Sequence, residues 1–108
     1  MLYVASAAAS PMPQHWHAPR DWLPGAICVH KHEGAWNAET GNGYSGGMQF
    51  TAYTWASVGG VGRASQASPR EQLYRAWLVW RRDGVVNGVR VAPGSWREWG
   101  TAGVCGLR

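Results

Sequence analysis

The chain has 108 residues, 45% of them hydrophobic and 15% charged, with a net charge of +4. That is one domain at most. It is too apolar for a disordered chain, too rich in its 15 Gly and 6 Pro for a coiled coil, and without the long apolar run a transmembrane helix needs. The positive balance suits an anionic partner such as nucleic acid, an anionic membrane or bacterial cell wall. The basic residues are scattered, with only Arg81 and Arg82 adjacent, which argues against the dense stripe of a nucleic-acid binder.

In chain order, residues 1–20 read as an extended arm or the remnant of a secretory signal. Met1 to Ser10 carries a short apolar stretch and small residues but no positive leader region, and prolines punctuate residues 10–20. Residues 21–108 form the domain. Asp21 is expected to cap a helix from about Trp22 to Glu33, with Pro24 in its first turn and Gly34 as a left-handed stop. Ala26, Val29, His30 and Glu33 share one face of it by the three-four spacing.

Glu39 to Gly47 contains Asn42-Gly43, a strong tight-turn signal, and predicts a small irregular β-hairpin. A second helix is expected from about Met48 to Val58, stopped by Gly59-Gly60. A third runs from Pro69 to Arg82, opened by the capping box Ser68-Pro69-Arg70-Glu71, with Leu73, Ala76, Trp77 and Trp80 inward. Asp83 is expected at its solvent-facing end. Val85 to Val91 reads as a loop or weak hairpin and the rest as a tail. The fold class is therefore α+β, mostly α, with three main helices and a short β-hairpin beside a cleft.

Cys28 and Cys105 form no C-x-x-C motif. One disulfide tying the tail to the first helix is the simplest reading, and it implies an oxidising, extracytoplasmic location; two buried thiols are the alternative.

The six carboxylates are few enough to weigh one by one. Glu71 is accounted for by its cap and by Arg75 four residues on. Glu98 lies in the tail between Arg97 and Trp99. Glu39 sits at the base of the hairpin and is a weak second candidate. Glu33 ends the first helix, where the macrodipole is negative and disfavours a carboxylate. A carboxyl kept neutral beside apolar walls is what a general acid needs to protonate a leaving oxygen, whereas a plain surface Glu beside Lys31 or His30 is the bland reading. The eight Trp suit either a small core or sugar stacking. Trp36, Tyr44 and Gln49 around a glycine turn would supply an aromatic platform and amide hydrogen bonds for a sugar chain.

Glu33-Gly34-Ala35-Trp36-Asn37 resembles the Glu-Ser-Gly-aromatic-Asn motif of lytic transglycosylases, with the same Glu-to-Asn spacing. The run from Thr40 through Asn42, Tyr44 and Gly46-Gly47-Met48-Gln49-Phe50, followed by Thr54-Trp55, resembles the Thr-Gly-Asn-Gly-Tyr-Tyr-Gly-Gly-Leu-Gln-Phe…Ser-Thr-Trp signature of resuscitation-promoting factors. Ser68-Pro69-Arg70-Glu71-Gln72 is similar to the start of their later helix, and the likeness covers about residues 22–84.

The resemblance implies a small lysozyme-like domain, one catalytic Glu and a peptidoglycan substrate. Glu33 takes the catalytic position; Thr40, Asn42, Tyr44 and Gln49 take cleft-lining positions, and Trp36 and Trp55 aromatic ones. Cys105 matches the final half-cystine, while Cys28 stands five residues before the acid instead of directly before it. The segment from Val85 to Trp99 is longer than the family's usual ending.

These readings lead to a secreted or wall-associated glycosidase, a lytic transglycosylase or muramidase. It would act on the β-1,4 bond between N-acetylmuramic acid and N-acetylglucosamine with one acid. The alternative is a non-catalytic cell-wall glycan-binding module. The expected partner is the peptidoglycan glycan strand, met by a monomer, with no nucleic acid, no membrane insertion and no cofactor. No metal is expected either: His30 and His32 are two apart on a helix and point to nearly opposite sides.

Overall fold

The computed structural model describes residues 9–82, 84–86 and 88–107. The expectations for residues 1–8 and for Asp83 lie outside these. Its elements are α1 (Leu23–Glu33), β1 (Tyr44–Ser45), β2 (Phe50–Thr51), α2 (Ala52–Ser57), α3 (Pro69–Arg81), β3 (Gly84–Val86) and β4 (Val89–Val91). Two 3-10 turns, Ala64–Gln66 and Gly100–Cys105, complete them. This is the mostly helical α+β architecture expected of a lysozyme-like domain.

α1 starts as predicted but not by the predicted cap. Trp22 holds the cap position without a side-chain bond. The Pro19 carbonyl instead accepts from the backbone N–H of Trp22 (3.1 Å) and of Leu23 (3.0 Å), and Pro24 has no N–H to satisfy. Asp21 is left exposed. Gly34 ends the helix at φ 155°, ψ 177°, an extended conformation reserved for glycine, and not in the left-handed one expected.

The hairpin is displaced along the chain. Glu39 bridges Ser45 around the Asn42-Gly43 loop, but the ladder itself pairs Tyr44 with Thr51 and Ser45 with Phe50 around residues 46–49. The predicted second helix therefore loses its first turn. Met48 and Phe50 are buried where a turn and a strand place them, and the helix begins only after Thr51, whose side chain accepts from the Thr54 N–H.

α3 opens on the predicted cap, Ser68 Oγ accepting from the Glu71 N–H at 3.0 Å. Its innermost face differs from the expected one. Gln72, Arg75, Ala76 and Val79 are buried, while Leu73, Trp77 and Trp80 pack half-buried around the core. Polar residues fill the core because each has partners there. Gln72 Oε1 accepts from the Gly47 N–H, and its Nε2 donates to the carbonyls of Trp36 and Ala67.

Tryptophans fill the other half of the core. Trp22 stacks on Trp96 at 5.8 Å, and Trp96 in turn meets Trp80 and Trp99. The tail, read from sequence as a loop or weak hairpin, forms the β3–β4 ladder and returns to α1. There Cys28 and Cys105 are joined, and Leu107 lies against Gly25, where a Cβ would stand 3.2 Å from it. Residues 9–20 are bound to α3. Arg70 Nη2 donates to the carbonyls of Gln14 and Trp16, and the Trp16 ring meets Tyr74 edge-on at 5.2 Å.

Candidate active site

Glu33 is the last residue of α1, where the chain must leave the helix through Gly34. Its side chain is half-buried. Thr101 Oγ1 donates to Glu33 Oε2 at 2.6 Å, a contact made across 68 positions of sequence. The disulfide places it: Cys28 and Cys105 dock the Gly100–Cys105 turn against α1. Thr101 thus fixes Oε2, while Oε1 takes no hydrogen bond from the described residues.

Two hollows flank the strand that carries Tyr44, and Tyr44, Phe50 and Thr51 border both. One, of about 450 Å³, is also bordered by Gln49, Thr54, Glu98, Trp99 and Gly100. Glu33 stands beside it and not in its wall: Gly100 precedes the Thr101 that bonds Glu33, and a Cβ on Gly34 would lie 3.8 Å from Gln49 Nε2. The other, of about 410 Å³, is bordered by Glu39, Gly41, Gly43, Trp55 and Arg63.

Four of the predicted residues come together by hydrogen bonds; of these Tyr44 borders both hollows and Gln49 the larger, while Thr40 and Asn42 border neither. Thr40 Oγ1 lies 3.4 Å from Gln49 Oε1 and 3.4 Å from the Tyr44 carbonyl, and it donates to Asn42 Oδ1. Asn42 Oδ1 also accepts from the Tyr44 N–H at 3.3 Å. Gln49 is held in the left-handed region at φ 49° by its own side chain, whose Nε2 donates to the Gly46 carbonyl at 2.8 Å. Tyr44 is 44% exposed, so its ring is available to a ligand.

Trp55 forms the floor of the smaller hollow. It is buried, meets Phe50 edge-on at 5.0 Å, and its Nε1 donates to the Val61 carbonyl. Trp36 stands apart from this group. Its ring stacks on His30 with centroids 3.6 Å apart, and Gly47 presses against both; a Cβ there would be 2.4 Å from the Trp36 ring. His30 Nδ1 lies 3.0 Å from the Gly47 carbonyl, and because a carbonyl only accepts, Nδ1 carries the proton. His30 thus holds the glycine turn in place. The Sγ atoms of Cys28 and Cys105 lie with His32 in a group of the size a metal needs, but the two sulfurs are bonded to each other and present no thiolate.

Charge is distributed unevenly around the hollows. The hydrogen bonds of Ser45 and then Ser65, with the Arg63 guanidinium, hold the Glu39 carboxyl below its ordinary range against a smaller opposing effect of burial. Burial pushes the Glu98 carboxyl up, and Arg82, whose Nη2 lies 3.5 Å away, opposes this only in part. Sequence reasoning passed over Glu98 and Thr101. Their only signal was Cys105, which ties this stretch to the helix bearing Glu33.

Residues 21–87 match the family of the transglycosylase-like domain. The chain is 35% identical over 99 residues to the resuscitation-promoting factor RpfC of Mycobacterium tuberculosis (strain ATCC 35801 / TMC 107 / Erdman), covering 84% of this chain and 69% of that protein. It is 47% identical over 60 residues to RpfE of Mycobacterium tuberculosis (strain ATCC 25618 / H37Rv), covering 56% of this chain and 35% of that protein. With Rpf of Micrococcus luteus the figures are 54% over 46 residues, 43% and 21%. The matches to RpfE and Rpf thus span well under half of those proteins. The chain belongs to the transglycosylase-like domain family and is a relative of the resuscitation-promoting factors.

Proposed function

We propose that the domain cleaves peptidoglycan glycan strands, cutting the β-1,4 bond between N-acetylmuramic acid and N-acetylglucosamine with Glu33 as its single acid. The observation that carries this reading is the seating of Glu33. It closes α1 with one oxygen fixed by Thr101, beside a hollow that Tyr44, Gln49 and Trp99 border. An aromatic face and a side-chain amide in one groove suit the C–H faces and hydroxyls of a sugar chain.

In this mechanism Oε1 of Glu33 protonates the glycosidic oxygen as the bond to the anomeric carbon breaks, and the sugar's own acetamido oxygen stabilises the cation. Glu33, now ionised, then takes a proton from the C6 hydroxyl of the same sugar. That oxygen bonds to the anomeric carbon and closes an anhydro ring. If water attacks in its place, Glu33 takes the water's proton and the product has a reducing end. Glu39 does not serve as a second carboxylate in this scheme, since Ser45, Ser65 and Arg63 all bind it.

The disulfide supports placing the domain in an oxidising compartment outside the cytoplasm. No helix among the described residues is long and apolar enough to cross a membrane.

The test is digestion of purified peptidoglycan by the wild type and by Glu33→Gln, with products resolved by mass spectrometry. The variant is expected to lose activity by ~10²- to 10⁴-fold, the range for one general acid, and to melt with the wild type. Anhydro ends identify a transglycosylase and reducing ends a muramidase. Equal cleavage by both proteins removes Glu33 from the mechanism. Sedimentation of both with peptidoglycan but cleavage by neither leaves a glycan-binding module.

A further inference from the structure

We propose that the smaller hollow, between Glu39 and Arg63, is a separate binding site for a zwitterionic amino-acid group, and that it receives the peptide branch of the glycan strand. This rests on the glycan-cleaving reading for its substrate, though not for its chemistry.

The ion pair that borders the hollow is satisfied on one side only. Three donors converge on Glu39 Oε1: Ser45 Oγ at 2.6 Å, Arg63 Nε at 3.2 Å, and Ser65 Oγ. Oε2 has a single partner among the described residues, Arg63 Nη2 at 3.1 Å. Arg63 therefore gives Nε and Nη2 to Glu39, and its Nη1 makes no hydrogen bond or ion pair with the described residues. A carboxylate oxygen with a spare lone pair and a guanidinium edge with spare N–H groups thus stand side by side at the mouth of a hollow of about 410 Å³. The floor is Trp55 and Phe50, and the rim is Gly41 and Gly43, at which an added Cβ would meet nothing within 4 Å.

A paired acid and base attract neither a lone anion nor a lone cation, because each pays for one attraction with one repulsion. A group that carries an ammonium and a carboxylate on one carbon satisfies both: its ammonium donates to Oε2 and its carboxylate accepts from Nη1. Glu39, held below the ordinary range by its serine and arginine donors, is ionised for this role at neutral pH. A neutral sugar uses neither charge. The peptide branch of peptidoglycan projects sideways from the muramic acid and includes a diamino acid whose free end is such a zwitterion. A strand lying in the larger hollow would send that branch across Tyr44, which borders both.

The proposal is tested with the whole chain, as wild type and as Arg63→Gln. Two substrates are compared: glycan strands that keep their peptide branches, and the same strands stripped by an amidase. Arg63→Gln is expected to raise KM about tenfold on the branched strands, the weight of one charge-assisted hydrogen bond, and to leave the stripped strands unaffected. An equal change on both substrates, or none on either, overturns the proposal.

A second measurement does not depend on cleavage. The tripeptide alanyl-glutamyl-diaminopimelate is titrated into labelled protein, and the Gly41 and Gly43 amides are followed by NMR. The wild type is expected to show saturable shifts, weakened about tenfold by Arg63→Gln or by amidation of the carboxylate on the carbon that bears the diamino acid's free ammonium. No shift in the wild type overturns the proposal even where glycan cleavage succeeds. Shifts without cleavage of either strand would retain the site and remove the glycosidase reading.

Discussion

The chain builds two acid–arginine pairs from the same residue types and uses them in opposite ways. In Glu71–Arg75 the arginine side chain is 2% exposed and all three of its guanidinium nitrogens donate. Nε and Nη2 bind Glu71, Nη1 donates to the Val58 carbonyl at 2.7 Å, and Nη2 also reaches the Ser10 carbonyl at 2.6 Å. One side chain thus joins α3, the end of α2 and the segment leading into α1. In Glu39–Arg63 the arginine side chain is 67% exposed and bridges a loop to the hairpin, and among the described residues its Nη1 makes no hydrogen bond. The first pair is part of the scaffold. In the second, the Arg63 guanidinium makes no further hydrogen bond among the described residues, and that remaining capacity is what the proposed ligand would use.

The largest effect expected from breaking this contrast is on the buried side. Arg75→Met removes a buried charge and leaves the Val58 and Ser10 carbonyls and the Glu71 carboxylate without their donor. The cost should be ~3–5 kcal/mol, the range for halving a buried ion pair. A domain of this size would then melt more than ~10 °C lower, and calorimetry would read this directly. Arg63→Gln in the same experiment should melt with the wild type, since exposed pairs contribute little. Equal losses in the two variants would abolish the distinction between them.

A smaller effect separates two glycines of the hairpin region. At Gly47 an added methyl would enter the space of the Trp36 ring and lie 2.7 Å from His30 Nδ1, so Gly47→Ala must push that stacked pair apart. The expected cost is ~1–3 kcal/mol of overpacking, with loss of the His30 Nδ1–H signal that its bond to the Gly47 carbonyl protects. At Gly43 the same methyl meets nothing, and only the φ of 93° opposes it. A Gly47→Ala protein with normal stability and an intact His30 signal would mean that the turn is not held from beneath.

The same division explains what could be read from the sequence. The start of α3 was legible because Ser68, Pro69 and Glu71 act within one turn. α1 was legible from its end signals, even though Pro19 and not Asp21 satisfies its first N–H groups. The cluster of Thr40, Asn42, Tyr44 and Gln49 was legible as a motif because its contacts lie within ten residues of one another. The Cys28–Cys105 disulfide, across 77 positions, was legible too, but most of what failed to show is made at long range. Gln72 and Arg75 look like surface residues until Gly47, Val58 and Ser10 are brought to them. One failure was local: Met48 to Thr51 look helical until the pairing with Tyr44 and Ser45 claims the strand. Thr101 reaches Glu33 only because Cys105 returns the tail to α1.

The smallest expected effect lies in acid, where Glu39 and Glu98 act with opposite signs. Glu39 is held below the ordinary value of 4.5, first by Ser45. The stability it contributes is present above that value and is lost as pH falls through its folded value. Glu98 is raised above 4.5, first by burial. Its contribution is complete below 4.5 and is lost as pH rises through its folded value, so at neutral pH the folded domain bears the cost of its charge. Arg82 offsets part of that cost at 3.5 Å, and keeps a partner in Ser57 Oγ at 2.8 Å when Glu98 is removed. Melting temperature followed through mild acid should therefore fall more steeply in Glu98→Gln than in the wild type, and less steeply in Glu39→Gln. Parallel curves for the three proteins would show that neither carboxyl senses the environment its contacts describe, and the charge at the mouth of the smaller hollow would then need another origin.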